Sequence, residues 1–332
     1  MKVTAKQIAE KMGISAAAVS MALNNKPGVS VEMRHQIIDV ATEMGYDFTR
    51  INQKNFRSNT IAFIFFHKNF VFDTPFFTEL ATSVEQVIKE NGYQLFALHI
   101  HDLDDIHEKI KSIQSYNFEG ILLLGTTMSR DDFEPFQKLD IPLVLLDSYF
   151  PNVNADCVTI NNVDSAETAT DYLIKKRHEQ PGYLHSTQNI VNFSERTLGF
   201  FNAVRKNSMP TSKSIIHHLS PSLDGAYADM LEILNHNEPI ATCYFADNDE
   251  IAIGAMRALK EKGYRVPEDV SIIGFDNIPY ATYVDPPLTT IHVPKSYMGV
   301  VAAKRLLSSI RDHDNMHVKI EINTELILRN SI

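Results

Sequence analysis

Gly13 separates two short apolar stripes at the start of this chain of 332 residues, and that arrangement admits few folds. Ile8 and Met12 lie four residues apart before it, and Val19 and Leu23 lie four apart after it. Each pair shares one face of a helix and must bury it. Thr4 and Gln7 have the spacing of a capping box, and Ser15 is a natural cap for the second helix. Gly13 supplies the backbone freedom that a tight turn needs. Two short helices so joined predict a helix-turn-helix, whose second helix enters the major groove of DNA. A third helix is expected from Ser30, with Met33, Ile37, Val40, Ala41 and Met44 at helical spacing and Gly45 closing it. Such a bundle has a small core and is marginal alone.

Net charge is −10, the wrong sign for a DNA binder until it is divided. Residues 1–58 hold eight Lys and Arg against five Asp and Glu, so the head carries +3 and the remainder −13. A basic head on an acidic body is the asymmetry expected when only the head meets phosphate. No apolar run reaches the roughly 20 residues that a membrane span needs. The N-terminus lacks the apolar region of a secretory signal, and Cys157 and Cys243 are far apart. Those features predict a cytoplasmic chain with neither a disulfide framework nor a zinc site.

From Thr60 onward, apolar strand-like runs alternate with amphipathic helices. Strands are expected at 61–66, 93–99, 121–124, 143–146, 182–184, 215–218, 243–245 and 270–275. Helices are expected at 77–90, around 106–113, and at 165–175, 197–206, 226–235 and 250–262. Repeated βαβ units give parallel sheets covered on both faces. Two series of similar length predict two stacked Rossmann-like lobes, with a ligand crevice at the strands' carboxyl ends. The glycine-rich and nucleophile-elbow signatures of common α/β enzymes are missing, so no catalytic residue and no cofactor are expected. His99 and His101 lie two apart on a strand and could face a metal, yet no third ligand is suggested and no metal is expected. Asp247-Asn248-Asp249-Glu250 begins like a calcium loop but lacks the loop glycine and distal Glu. It reads instead as a helix N-terminus, where acids are favoured by the dipole.

The ordered string Val3 to Ala9, Gly13 to Ser15, Val19 to Asn24, Pro27 to Ser30 and Gly45-Tyr46 resembles the head of the LacI/GalR (lactose-repressor) family of transcription regulators. Ala246 to Ala255, Val266 to Asp276 and Pro286 to Ile291 are similar to the same family's effector-binding core. The resemblance covers nearly the whole chain and is weakest at the linker. It implies an all-α helix-turn-helix head on an α/β, periplasmic-binding-protein-like body, with residues 1–58 as head and hinge and residues 59–332 as effector-binding and dimerisation domain. Within the body, lobe 1 is expected at about 60–160 plus 292–322 and lobe 2 at about 161–291 plus 323–332. The implied function is a homodimeric regulator, a repressor by type, bound to near-palindromic double-stranded operator DNA and controlled by a sugar-like effector. The alternative is a cytoplasmic small-molecule binding protein without regulatory DNA binding.

By position, the resemblance assigns DNA contacts to Thr4, Ser15, Ala16, Ala17, Ser20, Met21 and Asn24, and to Arg50, Lys54 and Phe56 in the linker. The family usually offers polar readers where this chain has Ala16 and Ala17, and often Arg at Met21. Alanine and methionine touch thymine methyls rather than hydrogen-bond to base edges. The family's hinge helix wedges a leucine into the minor groove. Here Asn55 stands at that place: either Phe56 is the wedge after a one-residue shift, or the hinge works differently, or Phe56 packs on the body as part of a basic linker. The implied effector residues are Phe77, Asp147, Arg196, Asn248 and Asp276. Carboxylates accept from adjacent hydroxyls, Arg donates a planar fork, and Phe offers a face to an apolar sugar side. Structural roles are open for the same residues: turn caps for Asp147 and Asp276, an Arg196–Asp147 pair, and a core place for Phe77. Ser220 stands where the family often has an aromatic ring.

Overall fold

The computed structural model describes residues 3–23, 28–46, 58–68, 75–101, 104–312 and 316–332. The chain divides into two compact units, Met1–Thr60 and Ile61–Ile332. In the first unit, helices α1 (Ala5–Met12), α2 (Ala16–Leu23) and α3 (Val31–Glu43) pack around Ile8, Ala9, Val19, Ala22, Leu23, Ile37 and Ala41. The capping box closes as the spacing predicts: Gln7 N–H donates to Thr4 Oγ1 at 3.4 Å, and Thr4 N–H donates to Gln7 Oε1 at 2.8 Å. Gly13 ends α1 at φ 66°, a left-handed conformation that a side chain would strain. Ser15 Oγ accepts from Ala18 N–H at 3.0 Å, and Ser30 Oγ from Met33 N–H at 3.2 Å.

The second unit holds two six-stranded sheets. The chain first lays down β1 (Thr60–His67), α4 (Pro75–Glu90), β2 (Gln94–His101), α5 (Ile106–Ser115), β3 (Gly120–Leu124), α6 (Arg130–Gln137), β4 (Leu143–Leu146) and β5 (Asp156–Ile160). It continues through α7 (Asn162–Arg177), β6 (Gly182–Ser186), α8 (Val191–Lys206), β7 (Ile216–Leu219), α9 (Leu223–Asn235), β8 (Cys243–Ala246), α10 (Asp249–Glu261) and β9 (Ser271–Asp276). It closes with α11 (Tyr280–Tyr283), β10 (Thr289–His292), α12 (Lys295–Asp312), β11 (Lys319–Ile322) and β12 (Glu325–Ile327).

One sheet runs β11-β5-β4-β3-β1-β2 and the other β12-β10-β9-β8-β6-β7. The chain therefore passes between the sheets after β5, after β10 and after β11. Fully apolar strands such as β3 (Gly-Ile-Leu-Leu-Leu) sit in the middle, buried on both faces by helices, as parallel sheets require. The β10–β12 pair alone among the described pairings is antiparallel, because the chain returns across the edge of the second sheet. Helix α12 leaves the second sheet and packs against α4 and β3 to β5 of the first.

The pattern reading omits α12 and the strands β5, β10, β11 and β12, and two further local features depart from it. Helix α6 was hidden by Pro135, which an eight-residue helix with a Ser129–Asp132 capping box nevertheless accommodates. Helix α8 begins at Val191 rather than Thr197, since Ile190 at its N-cap makes no side-chain capping bond and leaves no mark in the sequence. That earlier start sets Asn192, Phe193 and Arg196 on consecutive turns of one helix.

Candidate functional site

Strand ends and helix starts from both sheets line a cleft whose cavity is about 50 Å³. The lining is Phe76 and Phe77 from α4, Thr126, Asp147 after β4, Ile190, Asn192, Phe193 and Arg196 at α8, Asn248 and Glu250 at α10, Asp276 at the end of β9, and Ile278. The mixture of apolar walls with a few polar groups is what small-molecule sites use to orient a ligand. All five effector residues implied by the sequence, Phe77, Asp147, Arg196, Asn248 and Asp276, lie in this one cleft. Ser220 does not: its N–H and Oγ both donate to Asp229 Oδ2 at 2.7 Å.

The backbone aims the carboxylates. Asp147 has φ 60° and Asp276 φ 105°, so each strand turns sharply where its acid leaves the sheet. Asp147 is 3% exposed and accepts from Thr126 Oγ1 at 2.7 Å and from Asn192 Nδ2 at 3.1 Å. Asn248 caps α10 by accepting from Ile251 N–H at 2.8 Å. Next to it Asp249 is fully buried, accepting from Thr290 Oγ1 at 2.5 Å and from Ile278 N–H at 2.8 Å. The acidic run thus starts a helix, and its middle residue ties α10 to β10. A Cβ on Gly274 would lie 2.2 Å from Asp249 Oδ1, so only glycine leaves room for that tie.

Arg196 is the hub. It is 4% exposed, and its Nε donates to Asn162 Oδ1 at 2.9 Å while Nη1 donates to the Asp247 carbonyl. Nη2 lies 3.5 Å from Asp276 Oδ1, and the guanidinium sits 3.6 Å over the Phe275 ring. Its ion-pair partner is Asp276, and its charge also acts on Asp147. Asp247 is itself fixed, accepting from Tyr183 OH, from His185 Nδ1 at 2.7 Å and from Ser186 N–H at 2.7 Å. Phe77 serves two ends, packed in the core at 5% exposed while facing the cleft.

Burial raises the carboxyl groups here above the usual range: Asp147 to about 6, Glu250 to about 7 and Asp249 to about 8, with Asp276 adding repulsion in each case. Asp276 is raised for the same reason, with Arg196 opposing. Between roughly pH 4 and 8 the folded protein thus holds protons that the unfolded chain has released, and its stability falls as pH rises. Without ligand, the Tm is expected to be at least about 2 °C lower at pH 8 than at pH 6, with Asp249→Asn reducing the fall. A Tm that is flat or rising over that interval contradicts the assignment.

The second candidate surface is on the head. Thr4, Ser15, Ala16, Ala17 and Ser20 are exposed and Met21 is half-buried, with Val19, Ala22 and Leu23 turned inward. The outer face of α2 is thus small and largely uncharged. Asn24, Arg50, Lys54, Asn55 and Phe56 lie outside the described residues, so the hinge reading rests on sequence alone.

Residues 4–47 match the model of bacterial regulatory proteins, lacI family, and residues 170–332 match the periplasmic binding protein-like domain. The HTH-type transcriptional repressor PurR of Haemophilus influenzae strain Rd is 30% identical over 339 residues, covering 99% of this chain and 98% of its own. The chain belongs to the lacI family. Among solved structures, the complex of the transcriptional regulator CelR with cellobiose is 25% identical, with a TM-score of 0.75 over 99% of this chain and 100% of that one. A LacI family transcriptional regulator from Enterococcus faecalis V583 with bound ribose is 29% identical, with a TM-score of 0.70 over 82% of this chain and 98% of that one.

This lacI-family chain is therefore a DNA-binding transcription regulator with a helix-turn-helix head and a two-lobed body. Its cleft contains residues that the sequence reading missed. Asn192 and Phe193 stand four and three positions before Arg196 on α8, a spacing that would have pointed inward had the helix start been visible. Glu250 lies two residues past Asn248, in the run that the sequence reads as a helix N-terminus. Phe76, Thr126, Ile190 and Ile278 carry no local signal. His67, His99 and His101 stack with ring centroids 4.6–6.3 Å apart, and among the described residues no group of three or more His, Cys, Asp or Glu is placed to hold a metal. Nor is any helix of the described residues long and apolar enough to cross a membrane.

Proposed function

We propose that this regulator is a homodimeric repressor whose two heads read a near-palindromic operator and whose cleft binds a sugar that alters operator affinity. The head and hinge are residues 1–58. The body, 59–332, holds lobe 1 (about 60–160 plus 292–322) and lobe 2 (about 161–291 plus 323–332). The observation that carries the reading is the convergence of Phe77 and Asp147 from the first sheet with Arg196, Asn248 and Asp276 from the second on one cleft. A ligand gripped from both sides favours the closed arrangement of the lobes, and that differential contact is what coupling to DNA requires. Cellobiose and ribose, bound by the solved relatives, support a sugar as ligand. The role contains no catalytic step and needs no cofactor. Removing residues 1–58 is expected to abolish salt-dependent DNA binding and leave ligand affinity within about threefold, measured by anisotropy and calorimetry. DNA binding retained by the truncated chain would refute the division of labour.

On the head, the contacts proposed are Thr4, Ser15, Ala16, Ala17, Ser20, Met21 and Asn24, with Arg50, Lys54 and Phe56 in the linker. With alanine and methionine among the base-facing positions, specificity leans on thymine methyls and DNA shape. Replacing thymine by uracil at half-site positions should weaken binding by about 1 kcal/mol at the contacted bases. Equal affinity at every position so replaced would exclude methyl readout.

A further inference from the structure

We propose that Glu250 makes the cleft selective for a sugar bearing a positively charged nitrogen, an amino sugar by class, and that the cleft rejects anionic sugars; the inference rests on the proposed sugar-binding role of the same site. Three carboxylates line the cleft, Asp147, Glu250 and Asp276, and among the described residues the only cation lining it is Arg196. Arg196 already pairs with Asp276 and donates to Asn162 and the Asp247 carbonyl over the Phe275 ring. Lys295 lies outside the lining, and its charge acts on Asp276. Its Nζ donates to the main-chain carbonyls of Asp276 at 2.6 Å and Val293 at 3.2 Å.

The imbalance therefore falls most on Glu250, since Arg196 also acts on Asp147. Asp147 has two neutral donors, Thr126 and Asn192, whereas half-buried Glu250 makes no hydrogen bond or ion pair with a described residue. Its position in the first turn of α10 favours a negative charge, but burial and Asp276 oppose it. The walls around these acids, Phe76, Phe77, Phe193, Ile190 and Ile278, offer them no hydrogen bonds. A hydroxyl can donate to Glu250 but leaves the charge unbalanced. An ammonium does both, and a ligand carboxylate or phosphate adds a further uncompensated anion.

Calorimetry at pH 7.5 on the full-length protein tests this with matched sets: glucose, glucosamine and glucuronate; galactose, galactosamine and galacturonate; ribose and cellobiose as neutral references. In the set whose ring fits, the amine is expected to bind about tenfold more tightly than the parent sugar and the uronate not to bind measurably. Glu250→Gln, with its Tm checked, should bring the affinities of amine and parent to within about threefold of each other. A uronate that binds as well as its parent, or an amine preference that survives Glu250→Gln, overturns the inference but leaves the sugar cleft standing. Binding of neutral sugars with no amine advantage overturns it in the same way. If no sugar of any class binds, the sugar reading itself fails and this inference falls with it.

Discussion

Val19→Asp in the full-length protein is expected to abolish operator binding while the body keeps its own thermal transition and its ligand. Val19 is fully buried at the centre of a three-helix core in which, among the described residues, Ile8, Leu23 and Ile37 are the other large buried side chains. Each such side chain contributes about 1.5–3 kcal/mol by burial, so the head holds little surplus over its chain entropy. An unpaired carboxylate there costs about 3–5 kcal/mol, which is enough to unfold the helix-turn-helix. Circular dichroism would show lost helix and anisotropy lost binding. A variant with operator affinity within about threefold of the parent would contradict the assigned core.

Arg196→Ala is expected to have the second large effect, on ligand rather than DNA. The guanidinium is 4% exposed and holds Asn162, the Asp247 carbonyl and Asp276 together against the Phe275 ring. Its removal leaves those acceptors unpaired and takes from Asp276 its ion-pair partner, a cost of about 3–5 kcal/mol. Ligand affinity should fall at least about a hundredfold and the body's Tm should drop. Arg196→Lys keeps the charge without the planar fork and should lie between the two. Calorimetry showing undiminished affinity in both variants would remove Arg196 from the site.

How much of this was legible in sequence depended on how local the signal was. The head was readable because its caps, Thr4 and Ser30, and its apolar spacing act within a few residues. Helix α6 was not, because Pro135 sends the opposite signal to the Ser129 capping box. The start of α8 was silent for want of a capping side chain at Ile190, and Asn192 and Phe193 were lost with it. Phe77, Asp147, Arg196, Asn248 and Asp276 come from five separate stretches, and no spacing rule joins them; the family resemblance supplied the positions. Even then the chemistry changed on folding. Arg196 faces Asp276, Asn248 doubles as a helix cap, and Glu250 brings a third carboxylate into the cleft.

The most direct test of the account is operator affinity, by anisotropy, with and without the sugar that binds the cleft, in the parent protein and in Asp147→Ala and Asp276→Ala. In the parent the ligand should shift the operator Kd by about 5- to 150-fold. In both variants that shift should vanish while ligand-free operator affinity stays within about threefold of the parent. A ligand that occupies the cleft and leaves the operator Kd unchanged, or a shift that persists in both variants, would contradict control of DNA binding through this cleft.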